Sequence, residues 1–201
     1  MLRDAAKSTA IGGRPSAAPA ERAVDYSRKW LVMAAVGTGV YLNVLDASML
    51  NVSLPVITSA LRTDVATIQW VVTAYLLVIS SLLLTGGRLA DLYGRRRVYL
   101  TGLVVFTIAS ILCGLAQTVT QLIAFRVLQG VGSAFVQGVS SAITTSAFPP
   151  NERGKALGVQ ATIVAAAGIT GPLVGGLITG LLGWRWIFFL RIPLALLVLV
   201  L

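Results

Sequence analysis

The chain has 201 residues, of which 56% are hydrophobic and 11% charged, where a soluble domain carries about 25% charged residues. Too little polar surface is left to meet water, which excludes a soluble globule and makes the bilayer the fitting solvent. A formal charge of +9 would suit a nucleic-acid binder, but the basic residues lie between apolar runs rather than on one patch. They read as membrane topology, and no nucleic-acid partner is expected.

Residues 1–29 are rich in Ala, Ser, Pro, Gly and Arg, show no apolar period and read as a flexible cytoplasmic tail. No apolar stretch of signal-peptide type precedes Trp30. Apolar runs then follow one another near 30–54, 66–86, 98–116, 120–147, 156–182 and 186–201, against the roughly 20 residues that a bilayer crossing needs. Lipid cannot satisfy an unpaired backbone, and the runs lack the alternation of barrel strands, so they must be helices. The expected fold class is an all-α membrane protein of six transmembrane helices. The last run is still apolar at Leu201 with no flanking charge, so the sequence is expected to be truncated at its C-terminus.

The basic residues orient these spans. Six lie in the tail (Arg3, Lys7, Arg14, Arg22, Arg28, Lys29), four in the second connection (Arg88, Arg95, Arg96, Arg97) and two in the fourth (Arg153, Lys155). Against these twelve, the other side holds Arg62, Arg185 and Arg191, which places the N-terminus in the cytoplasm of a multi-pass plasma-membrane protein. Trp30 at the inner interface and Trp70, Trp184 and Trp186 near outer helix starts fit an aromatic belt.

Two ionisable residues fall inside spans, Asp46 in the first and Arg126 in the fourth. Each costs a few kcal/mol or more at membrane depth unless paired or hydrated. Asp46 lies about 12 Å, and Arg126 about 9 Å, from the outer end at 1.5 Å per residue. Inverted three-helix repeats bring such helices together around a cavity, so a pair, direct or bridged by water, is expected. It either exchanges a proton or permanently holds two helices in register. Histidine is absent and the one cysteine, Cys113, lies in an apolar run, so proton chemistry near neutral pH would fall to a carboxylate. The glycine-rich stretches are intramembrane and none ends in Lys-Ser/Thr. No metal, nucleotide or organic cofactor is expected.

Further along the chain, Ala161, Ala165, Gly168, Pro172, Gly175 and Thr179 recur three or four apart. Such a face lets a neighbouring backbone approach closely, and Pro172 can bend the helix.

Several segments carry a family resemblance. Gly87-Arg-Leu-Ala-Asp91-Leu-Tyr-Gly94-Arg95-Arg96-Arg97 is similar to the GxLaDrxGrk pattern of the major facilitator superfamily, with Leu92 at a usually basic position. Leu45-Asp46-Ala-Ser48-Met-Leu-Asn51-Val-Ser53-Leu-Pro55 resembles the lDxTxxNvALP segment of that superfamily's 14-helix drug:proton antiporters. Trp70-Val-Val-Thr73-Ala-Tyr75 resembles their second-helix opening, and Arg126-Val-Leu-Gln129-Gly130-Val-Gly132 their RxxQGxG motif. Gly171-Pro172-Leu-Val-Gly175-Gly176 resembles the fifth-helix antiporter motif, with Ala167 at its first glycine. Trp184-Arg185-Trp186-Ile-Phe-Phe-Leu-Arg191-Ile-Pro193 resembles the entry to the sixth helix. Arg191 stands there where the family usually has Asn, placed to snorkel to water at the outer interface.

The resemblance covers residues 28–201 and implies the N-terminal six-helix half of a proton-driven exporter of lipophilic drugs or other toxic small molecules. It implies no enzyme activity, and a proton gradient in place of a cofactor. Asp46 would carry the proton with Arg126 as its partner. Tyr41, Asn43 and Gln129 would line the substrate cavity. Gly87, Asp91, Gly94, Arg95 and Arg96 would form a gating loop, and Gly168, Gly171, Pro172, Gly175 and Gly176 a hinge. The implied partners are the lipid bilayer, protons, a small-molecule substrate and a second six-helix half. A carrier for another solute (an organic acid, sugar or peptide) and a non-transporting half stay open as alternatives.

Overall fold

The computed structural model describes residues 27–200; all but the last three residues of the expected tail lie outside them. The described residues form a bundle of α1 (Lys29–Ala60), α2 (Val65–Tyr93), α3 (Arg95–Leu115), α4 (Val119–Ala147), α5 (Arg153–Leu181), α6 (Trp186–Phe189) and α7 (Arg191–Val200). A 3-10 turn, Pro150–Glu152, joins α4 to α5. Five of the helices are long and apolar enough to cross a membrane, and a shorter apolar stretch, Trp186–Leu199, follows.

Helix ends depart from the hydropathy boundaries for local reasons. α1 runs through Pro55 to Ala60, because away from water a freed carbonyl costs less than an unwound turn. α2 runs to Tyr93, so Gly87 and Asp91 are helical and the expected loop shrinks to Gly94, whose φ of 93° suits glycine. The expected sixth helix is interrupted at Leu190 between α6 and α7. Pro193 has no N–H to give the carbonyl of Phe189 four residues earlier, which fits a break there. Elsewhere side chains set the starts. Asp64 accepts from Thr67 N at 3.1 Å, and Thr118 accepts from Gln121 N at 3.2 Å; both act as N-caps. Hydrogen bonds with Thr67 hold the Asp64 carboxyl below its ordinary range. Its extra capping is therefore present above the unfolded value and lost as pH falls through the lowered one.

Glycines set the helix spacing. α4 packs along both α2 and α3, and α1 lies chiefly along α5. A methyl group on Gly132 of α4 would sit 2.5 Å from Phe106 N and 2.6 Å from Gly102 O of α3. Those are backbone atoms, which cannot rotate away. At Gly175 of α5 the corresponding neighbour is Met49 Cα of α1, at 2.8 Å. Around these seams Leu45, Met49, Leu50, Ile57, Leu122 and Phe188 form the main apolar core.

Gly132→Ala should force α3 and α4 apart and cost about 1–3 kcal/mol. Gly168→Ala, with nothing within 4 Å, should be neutral or stabilise by up to about 1 kcal/mol. Thermal unfolding of the purified chain in detergent compares the two.

Candidate functional site

Asp46 occupies the middle of α1 with its side chain fully buried. Arg126, on α4, meets it directly: Nη1 donates to Asp46 Oδ2 at 2.6 Å. The expected pair is therefore a contact pair, with no room given to a bridging water. The guanidinium is fixed on two further sides, by Nε donating to Val71 O of α2 at 3.2 Å and by the Tyr75 ring 3.9 Å away. Such stacking and forked donation suit arginine better than lysine.

Gln129 lies on the same face of α4, one turn beyond Arg126, and its amide is oriented by charge. Its Oε1 accepts from Arg126 Nη1 at 2.5 Å, while its Nε2 donates to Asp46 Oδ1 at 3.3 Å and to Ser110 Oγ of α3 at 2.8 Å. Cys113 Sγ reaches the same Oε1 at 3.8 Å. Ser133 closes the ring of contacts from the α4 side, 2.9 Å from Tyr75 Oη. Groups from α1, α2, α3 and α4 thus satisfy one another around a single carboxylate, as buried polar atoms must.

Arg191 corrects the sequence reading. Instead of snorkelling to water it is 1% exposed and its Nη1 forms a second ion pair with Asp46, at Oδ1. Its Nε donates to Ile187 O at 2.8 Å and its guanidinium lies 5.2 Å from the Phe188 ring centre. The signal was present: five residues into its run, Arg191 lies about 8 Å deep, close to the depth of Arg126. Position near a span end masked it, because snorkelling is the usual fate of such a residue. The site holds two guanidinium groups against one carboxylate. Arg126 Nη2 and Arg191 Nη2 have no hydrogen-bond partner among the described residues.

The remaining expected site residues separate. Asn43 is buried, with Nδ2 donating to Gly39 O at 2.8 Å, and Gln129 is committed to the ion pair, so neither sits on an open surface of this half. Tyr41 is half-buried and bonds Thr170 of α5 through its hydroxyl at 2.8 Å. Cavities of about 390 and 400 Å³ lie elsewhere, one lined by Leu83, Gly87, Arg88 and Gln137, the other by Arg28, Arg95, Arg96 and Tyr99. Their linings include none of those three residues. Gly87 and Asp91 ride on α2 rather than in a loop, and Arg95 Nη1 donates to Ala142 O at 3.0 Å, tying the start of α3 to the last turns of α4. Asp91 and Arg96 are exposed.

The small-residue face of α5 is also rotated from the expected one. Ala167, Gly171, Gly175 and Thr179 are buried, with Thr179 bonding Ser53 at 2.7 Å. Ala161, Ala165, Gly168 and Pro172 are exposed. Spacings of three and four support several overlapping stripes on one helix, and only the partner α1 selects between them. Helix α5 continues unbroken through Pro172.

The sequence profile of the Major Facilitator Superfamily matches residues 36–201. The chain belongs to the major facilitator superfamily. Among the relatives of this superfamily member, riboflavin transporter RibZ of Clostridioides difficile is 38% identical over 167 residues, 83% of this chain and 37% of that protein. Multidrug resistance protein Stp of Mycobacterium tuberculosis is 41% identical over 84% of this chain and 32% of its own length. Puromycin resistance protein pur8 of Streptomyces alboniger is 39% identical over 92% and 37% respectively. The chain thus spans about a third of the length of these curated relatives. The inward-facing, unoccupied structure of a bacterial homolog to the human lysosomal transporter Spinster superposes with a TM-score of 0.77 at 21% identity. That match covers 88% of this chain and 43% of that one, and it shows the shared fold: the all-α chain fits half of a major facilitator transporter.

Removing Asp46 strands two buried cations, whereas removing Arg191 leaves Asp46 with Arg126. Asp46→Ala should therefore cost about 3–5 kcal/mol and Arg191→Ala clearly less. Denaturant unfolding of the three proteins in detergent gives the order.

Proposed function

We propose that the chain is the N-terminal half of a proton-coupled exporter of lipophilic drugs or other toxic small molecules. The observation that carries this reading is the fully buried Asp46 carboxylate held by Arg126. An ion pair in the membrane interior marks proton or substrate pathways more often than it marks stability, because its desolvation is costly and apolar packing would serve as well. Asp46 exchanges its proton as a cavity between this half and a second one opens to each side in turn. Arg126 stays close in one state and withdraws in the other, which sets whether the carboxylate keeps that proton. Tyr41 meets substrate from α1; the turn at Gly94 with Asp91, Arg95 and Arg96 closes the cytoplasmic gate. The close α1–α5 seam at Gly171 and Gly175 lets the two helices slide. A proton gradient supplies the energy, without metal, nucleotide or organic cofactor.

Relatives named for multidrug and puromycin resistance support the substrate class. The end of the bundle holding Arg28, Lys29, Arg95, Arg96, Arg153 and Lys155 suits the cytoplasmic face by its charge. There Lys29 pairs with Glu152 at 2.6 Å and Trp30 meets Phe148 edge-on at 5.5 Å. The similarity to a riboflavin transporter favours a second reading, a carrier for another solute using the same ion pair.

In inside-out vesicles carrying the full-length transporter and an imposed proton gradient, a lipophilic cation should trigger proton release. Asp46→Asn should abolish that release while leaving the amount of inserted protein unchanged. Proton exchange persisting in the variant would remove Asp46 from the mechanism; release triggered by a flavin alone would favour the second reading. The intact mass of the protein from its native membrane should be roughly double the 21.1 kDa of this chain or more, as a two-half carrier requires.

A further inference from the structure

The ion pair described so far joins α1 to α4, yet a third element also reaches it. Arg191 is the first residue of α7, next to the break at Leu190. It spans that break with two hands: Nε on Ile187 O of α6 at 2.8 Å and Nη1 on Asp46. The segment around it is short of backbone bonds, since Pro193 offers no N–H to Phe189. Its Nη2 is buried without a hydrogen bond among the described residues, so the guanidinium is held in place by Asp46, the Ile187 carbonyl and the Phe188 ring. An apolar helix has little reason to carry a buried cation here unless the carboxylate opposite uses it.

We infer that Arg191 is a second counter-ion of Asp46, through which the state of that carboxylate reaches the break between α6 and α7. It is a positioning residue, acting on Asp46 rather than on substrate. The inference deepens the proton-exchange reading of Asp46 and rests on it. With Asp46 charged, both arginines are drawn to it and the break is tied to α1. When Asp46 takes up a proton, two like charges face each other without the anion between them, and the shorter, less anchored segment gives way first. α2 also holds Arg126, through Val71 O and the Tyr75 ring, and Gln129 accepts from it, so Arg191 is the looser of the two. Among the described residues, the other titratable groups that touch the network are Tyr75 of α2 and Cys113 of α3. The buried face of α5, which packs on α1, consists of Ala, Gly and Thr residues.

Hydrogen–deuterium exchange of the backbone over residues 186–192 tests this in the full-length transporter in lipid nanodiscs, after correction for the intrinsic effect of pH. In the parent protein exchange should vary with pH. Asp46→Asn and Arg191→Asn should each speed it by about fivefold or more, the lower end of coupling between linked sites, and remove the pH dependence. Arg191→Lys, which keeps the cation, should stay near the parent. Exchange in Arg191→Asn equal to the parent, or unaffected by Asp46→Asn, would overturn the inference. If Arg191→Asn does not accumulate in the membrane, Arg191→Lys decides: parent-like exchange beside a fast Asp46→Asn supports the link, and exchange as fast as Asp46→Asn overturns it. A parent that exports drug without exchanging protons would sink the proton-coupled reading alone, since the exchange measurement reports on the Asp46–Arg191 tie by itself.

Discussion

A carboxylate placed in the centre of an apolar bundle must be met by partners from every side, and the position of Asp46 organises the bundle around that demand. Arg126 and Gln129 come from α4, Ser110 from α3 by way of Gln129, the Val71 carbonyl and Tyr75 ring from α2 by way of Arg126, and Arg191 from α7. Each of these side chains fixes the rotation of its helix about its own axis, which apolar packing alone does far less sharply. Polar networks of this kind specify one arrangement among many that bury similar area. Among the described helices, α6 joins through the Ile187 carbonyl that Arg191 bonds, and α5 stands outside this network. It attaches to α1 by shape, through Gly171 and Gly175, and by two hydroxyl pairs, Tyr41–Thr170 and Ser53–Thr179.

That division separates a part held by charge from a part held by close approach. Charge pairs in a low dielectric are directional and resist displacement. A seam of glycine against backbone, with hydroxyls that exchange partners easily, resists separation but tolerates sliding. The bundle therefore combines a cluster of α1 with α2, α3, α4 and α7 around Asp46 and a more weakly specified helix beside it. Much of α5 remains exposed, including Ile169, Leu173, Leu177 and Leu181. In water such a surface would be a liability; in a membrane it is available for lipid or a neighbouring helix.

The sequence was most informative where physics leaves one solution. Apolar runs in a chain this poor in charge become helices, and two opposite charges at comparable depth find each other; Asp46 and Arg126 do so at 2.6 Å. It was less informative where a decision belongs to a partner. Which stripe of small residues on α5 faces inward depends on α1, so Gly168 and Pro172 turned outward although their spacing fits a contact. Helix ends at Ala60 and Tyr93 depend on the cost of unpaired backbone in lipid, which hydropathy does not register. Arg191 fell to a rule that holds for most cations near span ends; this one, beside the break at Leu190, turns inward to Asp46. Asn43 was legible as a polar residue in a span, but its side chain bonds its own helix at Gly39 instead of opening onto a cavity.

The separation in sequence between Asp46 and its counter-ions bears on how the protein is made. Arg126 is 80 residues downstream of Asp46, which at ribosomal speeds of about 5–20 residues per second is a wait of roughly 4–16 s, and Arg191 comes later still. During that interval α1 exists beside the translocation machinery with an acidic group and no basic one to meet it. The nascent helix must remain in a hydrated or protein-lined waiting place, or travel with its acid neutralised, until α4 emerges. Biogenesis of the bundle is thus gated by the arrival of α4, and α1, the earliest of the described helices to be synthesised, is among the last to reach its final seat.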